Sequence, residues 1–402
     1  MRRYDVFDSV DVVIIGGGIV GLTLASLLAQ QRSLRLALIE ASPPPTILAE
    51  PSPLVSALNH ASEALLQQTG VWSSLLPEAS SYRRMQVWQA IGAGELTISS
   101  AALHLPYLGH ILNNQMLHQA LWQQVQQHAN IQLLASKRLQ AIYRDETHAR
   151  VTLENGRVIT AKLLIAADGK HSWIRRQLSI PLTFYDYGQQ ALVATIKTQL
   201  PHQQTAYQLF HEDSIVALLP LVDPYHCSLI WTLPTWRAHQ LQTVPSELFS
   251  QQLAAACDRR LGDCQLVSTR PIFPLRAQYA RQFAGQRVLL LGDAAHTIHP
   301  LAGQGLNLGL ADVALLMEEW QQIQRAGFDI GVYAHWRRFE RQRKYEAAKL
   351  LAVTHGVQRL FTGNQPLTRW LRGFGLQTID RCTWLKNFLV HQANDRRSLN
   401  HG

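Results

Sequence analysis

An uncharged run near the N-terminus, Val12–Ala29, places the strongest constraint on how this chain of 402 residues folds. Four β-branched residues lead directly into three consecutive glycines, and a fourth glycine follows inside an apolar segment of helical character. In the G-x-G-x-x-G pattern the first glycine allows a tight turn, the second lets the backbone approach a pyrophosphate, and the third lets the helix pack on the strand. The run therefore predicts a strand, a turn and a helix that bind a dinucleotide. The glycines that match the pattern are Gly16, Gly18 and Gly21.

An acidic residue supports this interpretation. A second predicted strand, Leu34–Ile39, ends in Glu40, 19 residues after Gly21, where a side chain that binds ribose hydroxyls is expected. The alternative for the uncharged run is a membrane anchor, because two arginines precede it. Three aspartates lie between those arginines and the run, and glycines interrupt the run itself. The nucleotide-binding interpretation is therefore favoured.

The composition is that of an ordinary soluble globular protein, with 47% hydrophobic residues. Its four cysteines form no C-x-x-C pair, so the sequence predicts neither a disulfide framework nor a zinc site, and a reducing cytoplasm is expected. His296 and His299 share an apolar loop that supplies no further obvious ligand. We therefore predict no metal site.

The excess positive charge of the chain, +9, lies in its C-terminal part. Residues 331–402 contain 13 Lys and Arg against 4 Asp and Glu, whereas residues 1–330 contain 24 of each kind. Such a region can meet anionic lipid, nucleic acid or an acidic partner, or lie as a solvated helix face. We expect no nucleic acid, and either peripheral membrane contact or packing of the apolar side on the protein. The membrane hypothesis rests on Arg337, Arg338, Arg341 and Arg343.

Two more strand ends carry an aspartate beside a glycine, at Asp168 and at Asp293. Ligands of open α/β sheets bind outside the carboxyl ends of the strands, where Asp293 can accept hydrogen bonds from a polyol. The alternative for Asp168 is a turn residue. Between them, Leu192–Leu233 consists of short β-rich segments that predict an inserted antiparallel sheet over a substrate pocket.

Three motifs carry a family resemblance: GGGIVG from Gly16, ADGKHS from Ala167 and GDAAHTIHPLAGQGLNLG from Gly292. In this order they resemble the single-component flavoprotein aromatic hydroxylases. LTFYDYGQQALVATI from Leu182 and RLGDCQLVSTRPIFPLRAQYARQFA from Arg260 are similar to the ubiquinone-biosynthesis hydroxylases, nearest to those that act on a 2-polyprenylphenol at ring position C5. The likeness covers nearly the whole chain.

The resemblance implies an α/β fold with three regions. A Rossmann-like FAD-binding domain of the para-hydroxybenzoate-hydroxylase type is expected at residues 1–73, 103–178 and 281–345. An inserted antiparallel-sheet substrate domain is expected at residues 74–102 and 179–280, and a C-terminal helical region at residues 346–402.

The resemblance also implies where the cofactor and the substrate bind. FAD is expected with its adenosine ribose at Glu40, its pyrophosphate at the glycine turn and near Asp168, and its ribityl chain at Asp293. The backbone groups of Leu306 and Asn307, at the start of a predicted helix, are expected to face the isoalloxazine ring. The expected cofactor-binding residues are Gly16, Gly18, Gly21, Glu40, Gln115, Asp168, Gly169, Asp293, Pro300, Gly303, Gln304, Gly305, Leu306 and Asn307. The expected substrate contacts are Leu219, Pro220 and Pro300.

The implied activity is that of an FAD-dependent monooxygenase. NADPH is the implied co-substrate, and it binds in this family without a Rossmann domain of its own. The implied reaction hydroxylates a polyprenylated phenol in ubiquinone biosynthesis with NAD(P)H and O2, through a flavin C4a-hydroperoxide. No side chain is expected to be catalytic, because the flavin carries the chemistry. The expected location is the cytoplasm or the inner face of the plasma membrane, beside other ubiquinone-biosynthesis proteins.

Two departures from the family pattern leave alternatives open. Leu54 stands where these enzymes usually carry an arginine ahead of V-S-A-L, and Asn113 stands where a glutamate usually precedes Asn114. One alternative is a hydroxylase of a small soluble aromatic acid, which needs an anchor for its carboxylate. The other is a non-catalytic scaffold member of a quinone-synthesis complex.

Overall fold

The computed structural model describes residues 8–46, 52–90, 95–297 and 305–362, with side chains up to residue 352. The strands in these ranges are β1 Ser9–Ile15, β2 Leu36–Ile39, β3 Val55–Leu58, β4 Ser80–Tyr82, β5 Arg84–Gln89, β6 Glu95–Ser99, β7 Gly109–Asn113, β8 Ile131–Leu134, β9 Leu139–Arg144, β10 Ala149–Leu153, β11 Val158–Ala166, β12 Leu182–Thr198, β13 Thr205–Phe210, β14 Ile215–Pro220, β15 His226–Pro234, β16 Cys264–Leu266, β17 Ile272–Ala280, β18 Ala284–Gly285, β19 Val288–Leu290 and β20 His296–Thr297. The helices are α1 Ile19–Ala29, α2 His60–Gln68, α3 Trp72–Leu75, α4 Asn114–Gln126, α5 Trp173–Gln177, α6 Thr235–Thr243, α7 Ser246–Ala256, α8 Gly305–Arg325 and α9 Arg337–Thr362.

The first sheet has the order β18-β19-β11-β1-β2-β8, and its strands from β19 to β8 are parallel. Strands covered by helices on both faces are apolar throughout, and Val12 to Ile15 of β1 are accordingly all buried. Helix α1 packs against α4 and α8, and its residues from Gly21 to Ala29 are all buried. The predicted strand, turn and helix are confirmed.

The second sheet has the order β20-β17-β12-β15-β14-β13-β5-β6. It is antiparallel except between β13 and β5, which come from distant parts of the chain and run parallel. Its apolar outer face packs with α6 and α7 around Trp231 and Phe249. A small third sheet, β3-β7-β4, lies against its inner face. The predicted α/β fold with an inserted sheet is confirmed, and the residue boundaries of the three regions stay a prediction.

The basic helix α9 packs one side on the body of the protein. Phe339 and Ala347 are fully buried, and Arg343, only 4% exposed, donates from Nε to Asp312 Oδ1 at 2.5 Å. Including Arg343 in a membrane-facing surface is therefore wrong, because its charge neutralises a buried carboxylate. Arg341 is exposed. Within the described residues, no helix combines the length and the apolar character that crossing a membrane requires.

Candidate functional site

The glycine turn after β1 has the geometry that its sequence predicts. Gly16 has a φ of +108°, and a Cβ there would lie 2.3 Å from the carbonyl oxygen of Ala167. A Cβ on Gly21 would lie 2.1 Å from the carbonyl oxygen of Gly16. At Gly18, by contrast, a Cβ would meet no atom within 4 Å, and no side chain caps α1 at this residue. The first amides of α1 therefore face open space that suits a phosphate.

Glu40 lies directly beside this turn. Its Oε2 accepts a hydrogen bond from Gly17 N at 2.6 Å, and its Oε1 accepts one from Ser42 N at 2.7 Å. A carboxylate has about four acceptor positions, so two stay free for ribose hydroxyls. His118 Nε2 lies 2.6 Å from the carbonyl oxygen of Gly17 and holds the turn from α4. The sequence analysis missed His118, and nothing local in the sequence indicates this long-range contact.

Gln115 and Asn113 contact Thr46 and Ser52, two described residues that precede β3. Asn113 Oδ1 accepts from the amides of Gln115 and Met116, which caps α4, and its Nδ2 donates to Ser52 O at 2.7 Å. Gln115 Oε1 accepts from Ser52 N at 3.1 Å, and its Nε2 donates to Thr46 O at 3.3 Å. A glutamate at position 113 could cap the helix but could not donate to Ser52. Asn113 thus makes a hydrogen bond to Ser52 that the glutamate of the family pattern could not make.

The two carboxylate oxygens of Asp168 differ: one has the local turn role considered for this residue, and the role of the other toward a ligand stays a prediction. Its Oδ2 accepts from the amides of Trp173 and Ile174, at 2.7 and 3.1 Å, and so caps the short helix α5. Its Oδ1 is buried without a hydrogen-bond partner in the described structure. Buried acceptors are almost always satisfied, so this oxygen suits a water or a ligand hydroxyl. The neighbouring Gly169 has a φ of +77° and open space at its Cβ position.

Asp293 lies in a short 3-10 turn, Gly292–Ala294, that follows β19. Its side chain keeps access to solvent, yet the surrounding protein desolvates the carboxylate and raises its pKa, against the opposing charges of His296 and Lys170. The Asp293 carboxylate is therefore accessible, yet partly shielded from water by its surroundings. Arg175, which donates to Ala294 O at 2.7 Å, links this turn to α5.

The first turn of α8 is fixed to β3 and α2 by Asn307. Its Oδ1 accepts from Asn59 N at 3.2 Å and from Ser62 Oγ at 2.8 Å, and its Nδ2 donates to Ala57 O at 2.7 Å. Amides at a helix start have no partner within the helix, so those of Leu306 and Asn307 are available to an acceptor. Three other expected cofactor residues, Pro300, Gly303 and Gln304, lie outside the described residues, as does His299.

The inner face of the second sheet meets β3 and β7 in an apolar cluster, here called the inner-face cluster. Its buried members are Val55, Ala57, Ile111, Ala191, Val193, Ala206, Ala217, Leu219, Ile230 and Leu275. Leu54, the residue that replaces the family arginine, packs against it. Strand alternation places Pro220 on the opposite face from Leu219, beside Cys227 of the outer cluster. Only Leu219 of this pair therefore faces β3.

These elements form one arrangement. The glycine turn, Glu40 and Asp293 lie at the carboxyl ends of the parallel strands, where ligands of such sheets bind, and the start of α8 lies beside an apolar inner face. Among the described residues, no group of three or more His, Cys, Asp or Glu side chains could hold a metal ion. The fold and the arrangement of these residues define the class as an α/β protein of the dinucleotide-binding type.

Comparison with known proteins identifies the family. A family model described as FAD binding domain matches residues 9–325. The 3-demethoxyubiquinol 3-hydroxylase of Escherichia coli is 32% identical over 385 residues, which cover 95% of this chain and 98% of that protein. Ubiquinone hydroxylase UbiM of Neisseria meningitidis is 31% identical, with 95% and 84% covered. The chain therefore belongs to the FAD-dependent hydroxylase family that contains the ubiquinone hydroxylases.

Solved structures agree on the fold. PqsL of Pseudomonas aeruginosa, in complex with 2-aminobenzoylacetate, matches with a TM-score of 0.76 at 20% identity and covers 92% of this chain and 99% of its own. The p-nitrophenol 4-monooxygenase PnpA of Pseudomonas putida matches with a TM-score of 0.76 at 17% identity and covers 98% of both chains.

Proposed function

We propose that this protein hydroxylates a polyprenylated phenol in ubiquinone biosynthesis, with FAD as cofactor and with NAD(P)H and O2 as co-substrates. One observation supports this substrate class above the others. On the two central strands of the inner face, residues 191, 193 and 195 of β12 and residues 228, 230 and 232 of β15 are all uncharged. A wall without charge suits a prenyl tail and gives a carboxylate no cationic partner.

The residues of this chain would hold FAD along the carboxyl edge of the first sheet. The amides at the start of α1 would bind the pyrophosphate, Glu40 the ribose and Asp293 the ribityl hydroxyls. The amides of Leu306 and Asn307 would face the flavin ring. Leu54 offers no cation to a phosphate, so this binding would rest on backbone groups. When bound, FAD supplies the electron transfer and oxygen activation, and the inner face orients the phenol and excludes water.

Two alternative functions, hydroxylation of a small aromatic acid and a scaffold role, would give different results in the experiment described below. A small aromatic acid would need a cation on the inner face, and the central positions described above carry none. A scaffold protein would not need to keep the glycine turn, Glu40 and Asp293, yet all of them have geometry that suits FAD. Which carbon of the phenol ring is hydroxylated is a separate and more specific proposal. We propose C5, although one relative is named for a 3-hydroxylation.

The first experiment is the visible spectrum of the purified protein, followed by anaerobic addition of NADPH with and without a short-tailed prenylphenol. We expect a flavin band that NADPH bleaches faster when the phenol is present, and a hydroxylated phenol in the mass spectrum after O2 is admitted. Faster bleaching and turnover with an aromatic acid that lacks a tail would contradict the lipid substrate. A colourless protein that FAD does not reconstitute would favour the scaffold.

A pH dependence of FAD binding is expected from the raised pKa of Asp293. Ribityl hydroxyls donate to the charged carboxylate, so FAD binds to the deprotonated form and its affinity falls as the pH drops through this pKa. Because the pKa lies above the ordinary value of 3.8, the loss begins at higher pH than for an ordinary aspartate. Flavin fluorescence titrations between about pH 5 and pH 8 would measure it. Asp293→Asn should bind FAD more weakly near neutral pH and lose this dependence; the same pH profile in both proteins would refute the assignment.

Peripheral membrane contact through the basic region is a separate proposal. Arg341 and Lys349 are exposed on α9 and can reach a surface, unlike Arg343. Changing both to Gln should weaken binding to anionic vesicles about 10-fold or more, since each basic residue near such a surface contributes about 1 kcal/mol. The matched control changes exposed Lys137 and Arg138 to Gln, with the same loss of charge. Equal sedimentation of the two variants with vesicles would exclude a specific role for α9.

A further inference from the structure

A buried carboxylate in α8 connects the Asp293 turn, β20 and α9. Asp312 has no exposed surface. Its Oδ2 accepts from Gly292 N at 2.8 Å and lies 2.7 Å from His296 Nε2, while its Oδ1 accepts from Arg343 Nε at 2.5 Å. Arg343 also donates from Nη2 to Leu308 O at 3.1 Å. Neither the dinucleotide motif nor the predicted site residues account for this network.

Each contact of the network ends beside a group expected to touch FAD. Gly292, with a φ of +55°, forms the turn that carries Asp293. Leu308 follows the two residues whose amides face the proposed flavin ring. A Cβ on Gly309 would lie 2.8 Å from Val20 of α1, so α8 packs closely against the first helix at this point. One carboxylate therefore sets the position of the Asp293 turn relative to the first turn of α8.

The charge on Asp312 depends on its partners. Burial alone would raise its pKa, but the charges of His296 and Arg343, with the hydrogen bonds from His296 and Gly292, lower it below the ordinary value. A buried carboxylate that loses its cationic partner is strongly destabilised. Arg343 is a cation at every physiological pH.

We propose that Arg343, on a helix outside the nucleotide-binding motifs, is a positioning residue for FAD. Through Asp312 it holds the Asp293 turn and the start of α8 in the relative position that binds the ribityl chain and the flavin ring. This inference rests on the proposed placement of FAD and not on the identity of the substrate. It makes α9 a part of the cofactor site.

The test compares Arg343→Met and Arg343→Lys with Arg341→Met, a matched control two residues away on the exposed side of α9. FAD affinity is measured by fluorescence titration of each apoprotein, and thermal unfolding is measured in parallel. We expect the dissociation constant of FAD to rise at least about 10-fold in Arg343→Met. It should rise less in Arg343→Lys, which keeps a charge, and stay unchanged in Arg341→Met. Tight binding by the wild type together with equal binding by all variants would overturn the inference alone; no binding by the wild type would overturn the proposed function.

A double variant keeps the inference testable if Arg343→Met does not fold. Asp312→Asn with Arg343→Met removes both charges and so avoids an unbalanced buried carboxylate. We expect this protein to fold and to bind FAD more weakly than the wild type. Wild-type affinity in the folded double variant would show that the network does not position the cofactor, and would overturn the inference.

Discussion

Turnover of a prenylated phenol is expected to fall about 100-fold or more when Leu219 is replaced by Arg, while FAD stays bound. Leu219 is 3% exposed and lies in the middle of the inner-face cluster. Binding of the tail would have to remove water from an unpaired guanidinium, which costs several kcal/mol and so weakens binding of the substrate. A loss of about 3 kcal/mol in binding corresponds to about 100-fold. Steady-state kinetics with a short-tailed prenylphenol measure the loss, and the flavin spectrum reports bound FAD.

Two further variants separate charge from volume and from a general effect on the sheet. Leu219→Ala removes apolar contact without adding charge, and it should raise KM by roughly 10-fold. Val222→Arg places the same charge on an exposed residue just after β14, and it should leave turnover unchanged. If Leu219→Arg keeps the wild-type KM for the prenylphenol, the substrate does not lie on the inner face. If it turns over an aromatic acid better than the wild type does, the pocket accepts a small ring and the tail matters less.

The second prediction compares the replacement of Gly21 by alanine with the replacement of Gly18 by alanine. These two glycines belong to the same turn, but we expect the two replacements to have different effects. Gly21→Ala should cost about 3 kcal/mol or more of the free energy of unfolding, because its Cβ would lie 2.1 Å from the backbone oxygen of Gly16. Neither backbone can move without separating α1 from β1. Gly18→Ala should change the free energy of unfolding by only about 0.5 kcal/mol, since its Cβ meets no atom within 4 Å. Denaturant unfolding of the apoproteins measures the difference.

Gly18→Ala should nevertheless weaken FAD binding about 10-fold or more, because its methyl group occupies the space in front of the α1 amides where the pyrophosphate would lie. The two substitutions therefore act on different quantities, one on folding and the other on cofactor affinity. Wild-type FAD affinity in Gly18→Ala would place the phosphates elsewhere. A fully stable Gly21→Ala would show that α1 can shift away from β1.

The local geometry of the nucleotide turn could be read from the sequence. The run from Val12 to Gly21 encodes it through steric rules that act within a few residues, and the structure has the positive φ and the close approaches that those rules require. The hairpin between β10 and β11 obeys the same kind of local rule, because its Asn-Gly turn requires a positive φ and Gly156 has a φ of +81°. The motifs that carry the family resemblance predicted a fold that the comparisons confirm.

The parts that sequence reasoning missed depend on contacts between distant residues. Arg343 was assigned to a basic surface because its neighbours are basic, yet it pairs with a carboxylate 31 positions earlier. His118 contacts a carbonyl 101 positions away. No local pattern encodes such pairs, because the partner depends on how the elements pack.

The sequence by itself determined the nucleotide turn, the parallel sheet that carries it and the family of the chain, because steric and periodic constraints act between near neighbours. Only the tertiary structure decided which face of β14 meets β3, so that Leu219 faces the cluster and Pro220 does not. It also decided that Asp168 leaves one carboxylate oxygen without a partner. These outcomes depend on register and burial, and both are properties of the packed sheets rather than of any single segment.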